Sequence, residues 1–360
     1  MTALPDLVVV GGGVAGLTAA LAAAGRGLRV TVIDQARPGA ASRASAGLLA
    51  PSIAGMPDEV RPMALEARDA YPRFLAMLLD RTDVDVPLDR NGILELASSA
   101  SDLDERAARA GPGAERLDGP ALAALEPALA PHAGAILHPH DGAVDPVRLM
   151  AALDVAVARQ PRITRFTDEV ASFDGRGNLP AFRSKGGTRY ASRRLLLAGG
   201  AWAGGLPGLP RAVPVRPVRG QLARLEGLPI RHAVHLTDGY LIPRAGALIV
   251  GATSEETGFD AATTPRGLAA LRATATRAIP VLGHAPLADH WAGLRPVTPD
   301  GLPILGVDPA VPALHYACGY SRNGILFAPW AADRLAMVLA GAPPSSALSA
   351  FRVDRFGPVA

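Results

Sequence analysis

The chain is short of several things, and each shortage removes a class of function. It has one cysteine, Cys318, in 360 residues. Intrachain disulfides, a Cys-x-x-Cys redox pair and a cysteine-based zinc site are therefore excluded, and a reducing compartment suits the chain. Net charge is only +3, from 36 Lys and Arg against 33 Asp and Glu, and there is no basic run of the kind that binds nucleic acid. Long unbroken apolar runs are also missing. The two most hydrophobic stretches, 7–25 and 195–210, are interrupted by glycine, and no basic segment precedes Leu7. Neither a membrane span nor a signal peptide is expected, and the chain reads as cytoplasmic. No internal repeat is found. What remains, 49% hydrophobic and 19% charged, is the composition of a globular chain long enough for two domains.

What is there begins at the start. Leu7 to Val10 is a short β-branched run, followed by Gly11-Gly12-Gly13-Val14-Ala15-Gly16, an alanine-rich stretch to Ala24, a glycine break, and Val30-Thr31-Val32-Ile33-Asp34. Strand, glycine turn, helix, strand and acid is the order of a dinucleotide-binding βαβ unit. Gly11 permits the tight turn, Gly13 lets a pyrophosphate approach the backbone, and Gly16 lets helix and strand lie close. The helix N-terminus offers free N–H groups and partial positive charge to phosphate. Asp34 suits ribose hydroxyls and disfavours a 2′-phosphate; the motif alone does not separate FAD from NAD.

Further along, 40–51 is dominated by small residues, with Ser42 or Ser45 read as a helix N-cap. Residues 61–79 read as a helix with Pro72 as a kink, and Asn91-Gly92 within 84–96 as a hairpin turn. One or two surface helices are expected over 98–126, with Asp104, Glu105 and Arg106 on a solvated face. A strand follows at 134–139, and Asp145-Pro146 opens a helix as cap and first residue. Strands are expected over 163–170, 189–197, 213–225, 239–251 and 313–318, and helices over 265–281 and 325–339. Residues 291–306 are dense in Gly and Pro and are assigned to no element, and those from 341 onward read as a loosely held tail. Met63, Met77 and Cys318 read as core. His132, His138 and His140 read as a solvent-exposed strand edge, since nothing nearby has the spacing to complete a metal site. The pattern is α/β: a discontinuous Rossmann-like domain formed by 1–80, 145–212 and 300–360, threaded by a second, antiparallel β-rich domain of 81–144 and 213–299.

Seven blocks in this order resemble the D-amino-acid oxidase family of flavoproteins: GGGVAGL with VTVID, ASRASAGLLAP, LLLAGGAWA, VRPVRGQ, GYLIPR with LIVGAT, WAGLRPVTPDGLPILG and GYSRNGILFAP. Within the family they look most like the glycine oxidases of thiamine-thiazole biosynthesis. The resemblance implies non-covalent FAD as cofactor. Related sarcosine oxidases attach flavin through a cysteine, which would fall here near Val297 and Thr298. Gly11, Gly13, Val14, Ala15 and Gly16 match the pyrophosphate turn, and Asp34 and Gln35 the adenosine end. Ser42, Arg43, Ser45, Ala46, Gly47 and Leu48 match the loop beneath pyrophosphate and flavin, Val170 the backbone contact to adenine, and Gly199, Gly200 and Trp202 a second glycine turn. Arg322, Asn323, Gly324, Ile325 and Leu326 match the segment at the pyrimidine end of the flavin.

The same resemblance places Arg295 on the substrate carboxylate, where a planar guanidinium pairs both oxygens, with Tyr240 beside it. Ser254 falls where a methionine lines the pocket in a compared glycine oxidase, and Arg322 belongs to the reacting end. The implied reaction transfers a hydride from a small amino acid (glycine, sarcosine or a small D-amino acid) to FAD. O2 reoxidation gives H2O2, and the imine hydrolyses to the 2-oxo acid or supplies thiazole synthesis. A dehydrogenase of the same family, passing electrons to a quinone or a protein, is the alternative. A homo-oligomer is compatible with all of this. No histidine or acid stands in the substrate motifs as an evident general base.

Overall fold

The computed structural model describes residues 4–53, 56–175, 179–227 and 229–357. Its first layer is a six-stranded sheet, ordered Ile304–Val307, Leu314–Cys318, Leu195–Leu197, Leu7–Val10, Val30–Ile33, Ile163–Phe166. All neighbours are parallel except the outer pair Ile304–Val307 and Leu314–Cys318. Buried on both faces, the inner strands need continuous apolar runs rather than alternation, while the edge strand Ile163–Phe166 is largely exposed. Leu7, Val9 and Leu196 face the core shared with the helices Val14–Gly25 and Gly324–Leu339. Val8, Leu195 and Leu197 face the opposite core, shared with Phe173 and Phe182 of a small antiparallel sheet, Val170–Asp174, Ala181–Ser184 and Arg189–Ala191.

The second large sheet has eight strands, ordered Leu287–Val297, Arg216–Glu226, Ala247–Gly251, Gly239–Arg244, Ala233–Leu236, Ile93–Ala97, Gly134–His138, Glu115–Asp118. Only Ala233–Leu236 and Ile93–Ala97 pair in parallel. Its residues alternate between two faces. Leu241, Leu248 and Val250 pack with Leu271 and Ala275 of the helix Pro265–Ala278. Tyr240, Ile242 and Ile249 face Ala46, Leu48 and Ile53 on the other side. A three-stranded sheet, Leu48–Leu49, Gly142–Val144 and Leu88–Asp89, joins segments that run to both large sheets.

Several local expectations are corrected. Pro72 does not kink one helix but starts a second, so that Arg61–Asp69 and Tyr71–Thr82 meet at Ala70. Asn91-Gly92 does make a turn, with Gly92 at φ +93°. The strands on either side join different sheets instead of pairing with each other. The surface region 98–126 holds the expected helices, Ala100–Arg109 and Gly119–Leu125, with an unexpected strand between them. Residues 163–170 and 189–197 each divide between two sheets. The Gly- and Pro-dense stretch from Trp291 belongs to an eleven-residue strand, Leu287–Val297. Its glycine is tolerated because neighbours approach closely there: Gly293 has the Cβ of Ala44 just 2.6 Å from where its own would lie. Asp145 caps Pro146–Ala158 as expected, accepting from the N–H groups of Val147 and Arg148.

The tail is not loose within the described residues, which stop at 357. Leu348, Phe351 and Val353 are buried, and the Phe351 ring packs edge-on to Phe327 and Trp330, both centroids at 5.9 Å. Phe351→Ala is expected to lower unfolding stability by about 3–5 kcal/mol, as for other buried phenylalanines. Urea titration reads this directly, and a loss near zero would restore the loose tail.

Candidate active site

A cleft runs along the C-terminal ends of the parallel strands Leu7–Val10 and Leu195–Leu197, where ligands bind in open α/β sheets. One end is lined by Asp34, Gln35, Asp168, Glu169 and Val170, the other by Tyr240, Arg295, Arg322 and His235. Between them the glycine turn is built for close approach. Gly11 has φ +111°, and a Cβ there would sit 2.2 Å from the Ala198 carbonyl oxygen; a Cβ on Gly16 would sit 1.9 Å from that of Gly11. The helix behind the turn begins without a side-chain cap from its own Gly13 and without an acid in its first turn. Ser42 Oγ reaches across from the next segment to accept the Val14 N–H at 3.0 Å. Its remaining first-turn N–H groups have no helical partner and suit a pyrophosphate.

At the adenosine end Asp34 closes the strand Val30–Ile33, accepting the Ala36 N–H at 3.1 Å and lying 3.7 Å from Arg165. Gln35 and Arg37 both bond Glu169, at 3.2 and 2.9 Å, which ties that strand end to the one carrying Val170. Arg37 lies over the Trp202 ring, 5.2 Å from its centroid. Gly199, Gly200, Ser45, Ala46, Gly47, Leu48, Asn323, Gly324 and Ile325 line the middle. Gly47 leaves room for the Val144 carbonyl, only 1.9 Å from where a Cβ would be. The donor set and the cradle fit FAD: glycines where backbone must approach phosphate, two helix N-termini whose own N-cap residues make no side-chain cap (Gly324–Leu339 is the second), and an acid at the ribose position.

At the other end Arg295 is half-buried and donates Nη1–H to the Thr253 carbonyl at 2.9 Å. Burial pushes its pKa down, yet a guanidinium stays protonated at neutral pH. Burial likewise raises the Tyr240 phenol, against the pull of Arg295 and Arg322, so it remains a neutral donor. Arg322 has no hydrogen-bond or ion-pair partner among the described residues. Two missing side chains make this space. A Cβ on Gly220 would lie 2.4 Å from the Arg295 guanidinium, and one on Gly251 2.4 Å from the Tyr240 ring. Since the atom met at Gly220 is the far end of a flexible side chain, Gly220→Ala is expected to spare the fold and displace Arg295. A misplacement of that order costs about 10²-fold in kcat/KM; an unchanged kcat/KM would show that Arg295 is not engaged.

Four residues expected in the site stand outside its lining. Arg43 points away and pairs with Asp154. Ser254 is exposed and does not line the cleft; it is the preceding Thr253 that contributes, through its carbonyl. Gly16 and Leu326 lie behind the lining, Leu326 in the helix core. Neither serine caps a helix over 40–51: Ser42 serves the helix at Val14, and Ser45 ends Ala41–Ala44. His138 is not on an exposed edge. It is buried on a central strand with Nε2 3.2 Å from Glu95, which Arg106 bonds at 2.6 Å, so Arg106 is not free in solvent either. Cys318 lines the cleft wall, with burial pushing its thiol up to about 12. Among the described residues no group of His, Cys, Asp or Glu could hold a metal, and no helix is long and apolar enough to cross a membrane.

His235 was not anticipated. It stands on Ala233–Leu236 directly across from Tyr240, joined by the Thr237-Asp238 turn. The sequence signal was the alternation on both sides of Thr-Asp-Gly, a short hairpin connection.

Comparison with known proteins agrees with this geometry. The family model described as FAD dependent oxidoreductase matches residues 6–337. The chain is 32% identical to a glycine oxidase of Geobacillus kaustophilus, with 91% of each chain covered. It is also 32% identical to a bifunctional protein ThiO/ThiG of Trichormus variabilis over 98% of its own length, but spans only 55% of that relative. The solved glycine oxidase of Geobacillus kaustophilus superposes with a TM-score of 0.92 at 30% identity, covering 98% of this chain and 99% of that one. A cleft built for a dinucleotide and a match over almost the whole chain have one reading: the protein belongs to the family of FAD-dependent oxidoreductases.

Proposed function

We propose that the protein oxidises a small α-amino acid, glycine or one little larger, as an FAD-dependent oxidase. The observation that carries this is the convergence of Arg295, Arg322 and Tyr240 at one end of the cofactor cleft with no acid lining that end. Such a place takes a carboxylate. Arg295 pairs with it in a fixed plane because Thr253 and the gap at Gly220 hold the guanidinium. Arg322 supplies the second positive charge and Tyr240 a neutral O–H donor. Ala46, Leu48, Ala50 and Leu222 close the rest of the space with short apolar walls, which favour a small side chain and keep water from the reacting carbon. Gly11, Gly13, Val14 and Ala15 would hold the pyrophosphate, Asp34 the ribose, Val170 the adenine, and Ser45 to Leu48 with Arg322 to Ile325 the flavin. FAD held there would supply a hydride acceptor for Cα and a route for the electrons to O2, giving H2O2, and the imine would hydrolyse to the 2-oxo acid and ammonia or amine.

The relatives' names support glycine as substrate, and the likeness to glycine oxidases of thiamine-thiazole biosynthesis supports a product used for thiazole formation. We assign the six-stranded sheet and its helices to cofactor binding and the eight-stranded sheet to substrate, and place the enzyme in the cytoplasm on the strength of its single cysteine. The test is anaerobic mixing with glycine, sarcosine, D-alanine and D-proline, followed by air. Bleaching of the flavin by one of them, then recovery with peroxide formation, is the expected result. Bleaching that only a quinone reverses would mean a dehydrogenase, and no bleaching by any amino acid would overturn the reading.

A further inference from the structure

An α-amino acid in neutral water carries its nitrogen as ammonium, with no lone pair. Forming the C=N bond as hydride leaves Cα requires that lone pair, so a proton must first be accepted. Arg295 and Arg322 are cations with no acceptor atom, and Tyr240 and Cys318 are held protonated by burial. Among the described residues, His235 is the titratable side chain lining that end whose acceptor is free. It lines the cleft, its Nδ1 is buried without a partner, and neither ring nitrogen has a hydrogen bond among the described residues.

Its position follows from sheet register. Leu222, Gly251, Tyr240, His235 and Glu95 are successive partners on five adjacent strands, and so form one row across the sheet. Gly251 leaves space for the Tyr240 ring, and His235 comes next. The charged and titratable groups around the imidazole are Tyr240 on Gly239–Arg244, Glu95 on Ile93–Ala97, Arg322 before Gly324–Leu339, Arg106 on Ala100–Arg109 and His138 on Gly134–His138. Burial lowers the His235 pKa first, and Arg322, Arg106 and His138 lower it further, against Glu95. The ring is therefore neutral at pH 7 and ready to accept. Burial opposes ionisation of Glu95, but His138 and Arg106 outweigh it and hold the carboxyl below its usual range. A permanent anion thus backs the imidazole from the neighbouring strand.

We propose that His235 accepts the proton of the substrate ammonium, converting it to the amine that is oxidised. The inference rests on the amine-oxidation reading above. One N–H bond of the ammonium breaks, its electron pair stays on the substrate nitrogen, and an N–H bond forms on the imidazole. The imidazolium is stabilised by Glu95 and returns its proton to water after product leaves.

The test uses FAD-loaded protein. Anaerobic flavin reduction by glycine is followed against pH for the wild type, His235→Gln and His235→Asn, with flavin content and circular dichroism confirming the fold. The wild-type second-order constant should level off once the imidazole is neutral. The variants should fall about 10²–10³-fold at neutral pH, then rise about tenfold per pH unit toward the ammonium pKa of free glycine, meeting the wild type in alkali. Independently of turnover, the 15N-histidine signal that both variants lack should report a neutral ring at pH 7. Curves that stay parallel, or an imidazolium signal at pH 7, would overturn the assignment while leaving amine oxidation standing. A wild type that no amino acid reduces would instead remove the amine-oxidation reading, and this inference with it.

Discussion

Replacing Arg295 with alanine is expected to raise the KM for the amino-acid substrate at least about a hundredfold, with flavin still bound. Truncating one partner of a buried, hydrogen-bonded charge pair costs about 2–5 kcal/mol, and each 1.4 kcal/mol is about tenfold. Arg295 meets the conditions for the upper part of that range. It is largely desolvated, no carboxylate among the described residues bonds it, and its tethers are neutral groups, the Thr253 carbonyl and the Tyr240 phenol. Its charge is therefore unused until a substrate arrives. Arg322 remains in the variant and keeps some attraction, so binding should weaken without vanishing. Arg295→Lys should rescue only part of the loss, because an ammonium restores charge but not the planar pairing of two oxygens. Steady-state kinetics with a flavin absorbance spectrum separates the outcomes. An unchanged KM would place the carboxylate elsewhere in the cleft, and lost flavin would show that Arg295 serves the fold.

Gly11→Ala is expected to give a protein that purifies nearly free of flavin, binding added FAD at least about a hundredfold more weakly. Two penalties coincide. The backbone stands at φ +111°, a conformation that L residues avoid at a cost of about 1–3 kcal/mol. The new methyl would also lie 2.2 Å from the Ala198 carbonyl oxygen, which is backbone and cannot swing aside. Either Leu7–Val10 separates from Leu195–Leu197 or the turn changes shape, and both move the first-turn N–H groups after Val14 that would meet the pyrophosphate. Gly25→Ala is the control, since nothing lies within 4 Å of a Cβ there and a helix end favours alanine. Fluorescence quenching of FAD on titration with apoprotein gives both constants. Equal affinity for Gly11→Ala and wild type would show that the turn adapts.

Legibility along the chain followed distance. The unit 7–34, the Asp145 cap and the helix Gly324–Leu339 were all readable, because turn, cap and periodicity are interactions within a few residues of one another. The strand Leu287–Val297 was hidden by its glycine and proline, and only the close neighbour at Ala44 explains Gly293. The tail looked loose because Leu348 and Phe351 are isolated apolar residues with no period; only their packing on Phe327 and Trp330 holds them. Arg43 and Ser254 were matched to site positions by motif, and motif says nothing of the direction in which a side chain leaves the backbone. Asp154 draws Arg43 outward, and the segment that follows Gly251 leaves Ser254 in solvent.

The sequence by itself determined that this protein holds a dinucleotide cofactor and, through its ordered blocks, which family of flavoproteins it resembles. That much is local chemistry: a glycine turn between an apolar strand and an uncapped helix, with an acid at the end of the next strand. Only the tertiary structure decided the substrate end. Its row of Tyr240, His235 and Glu95 exists because three strands pair in one register, two of them separated by over a hundred residues. Arg295 reaches it from the strand Leu287–Val297, and Arg322 from the turn before the helix Gly324–Leu339. Ladder hydrogen bonds between distant strands, and the space left by Gly220 and Gly251, set those neighbours, and no local pattern records them.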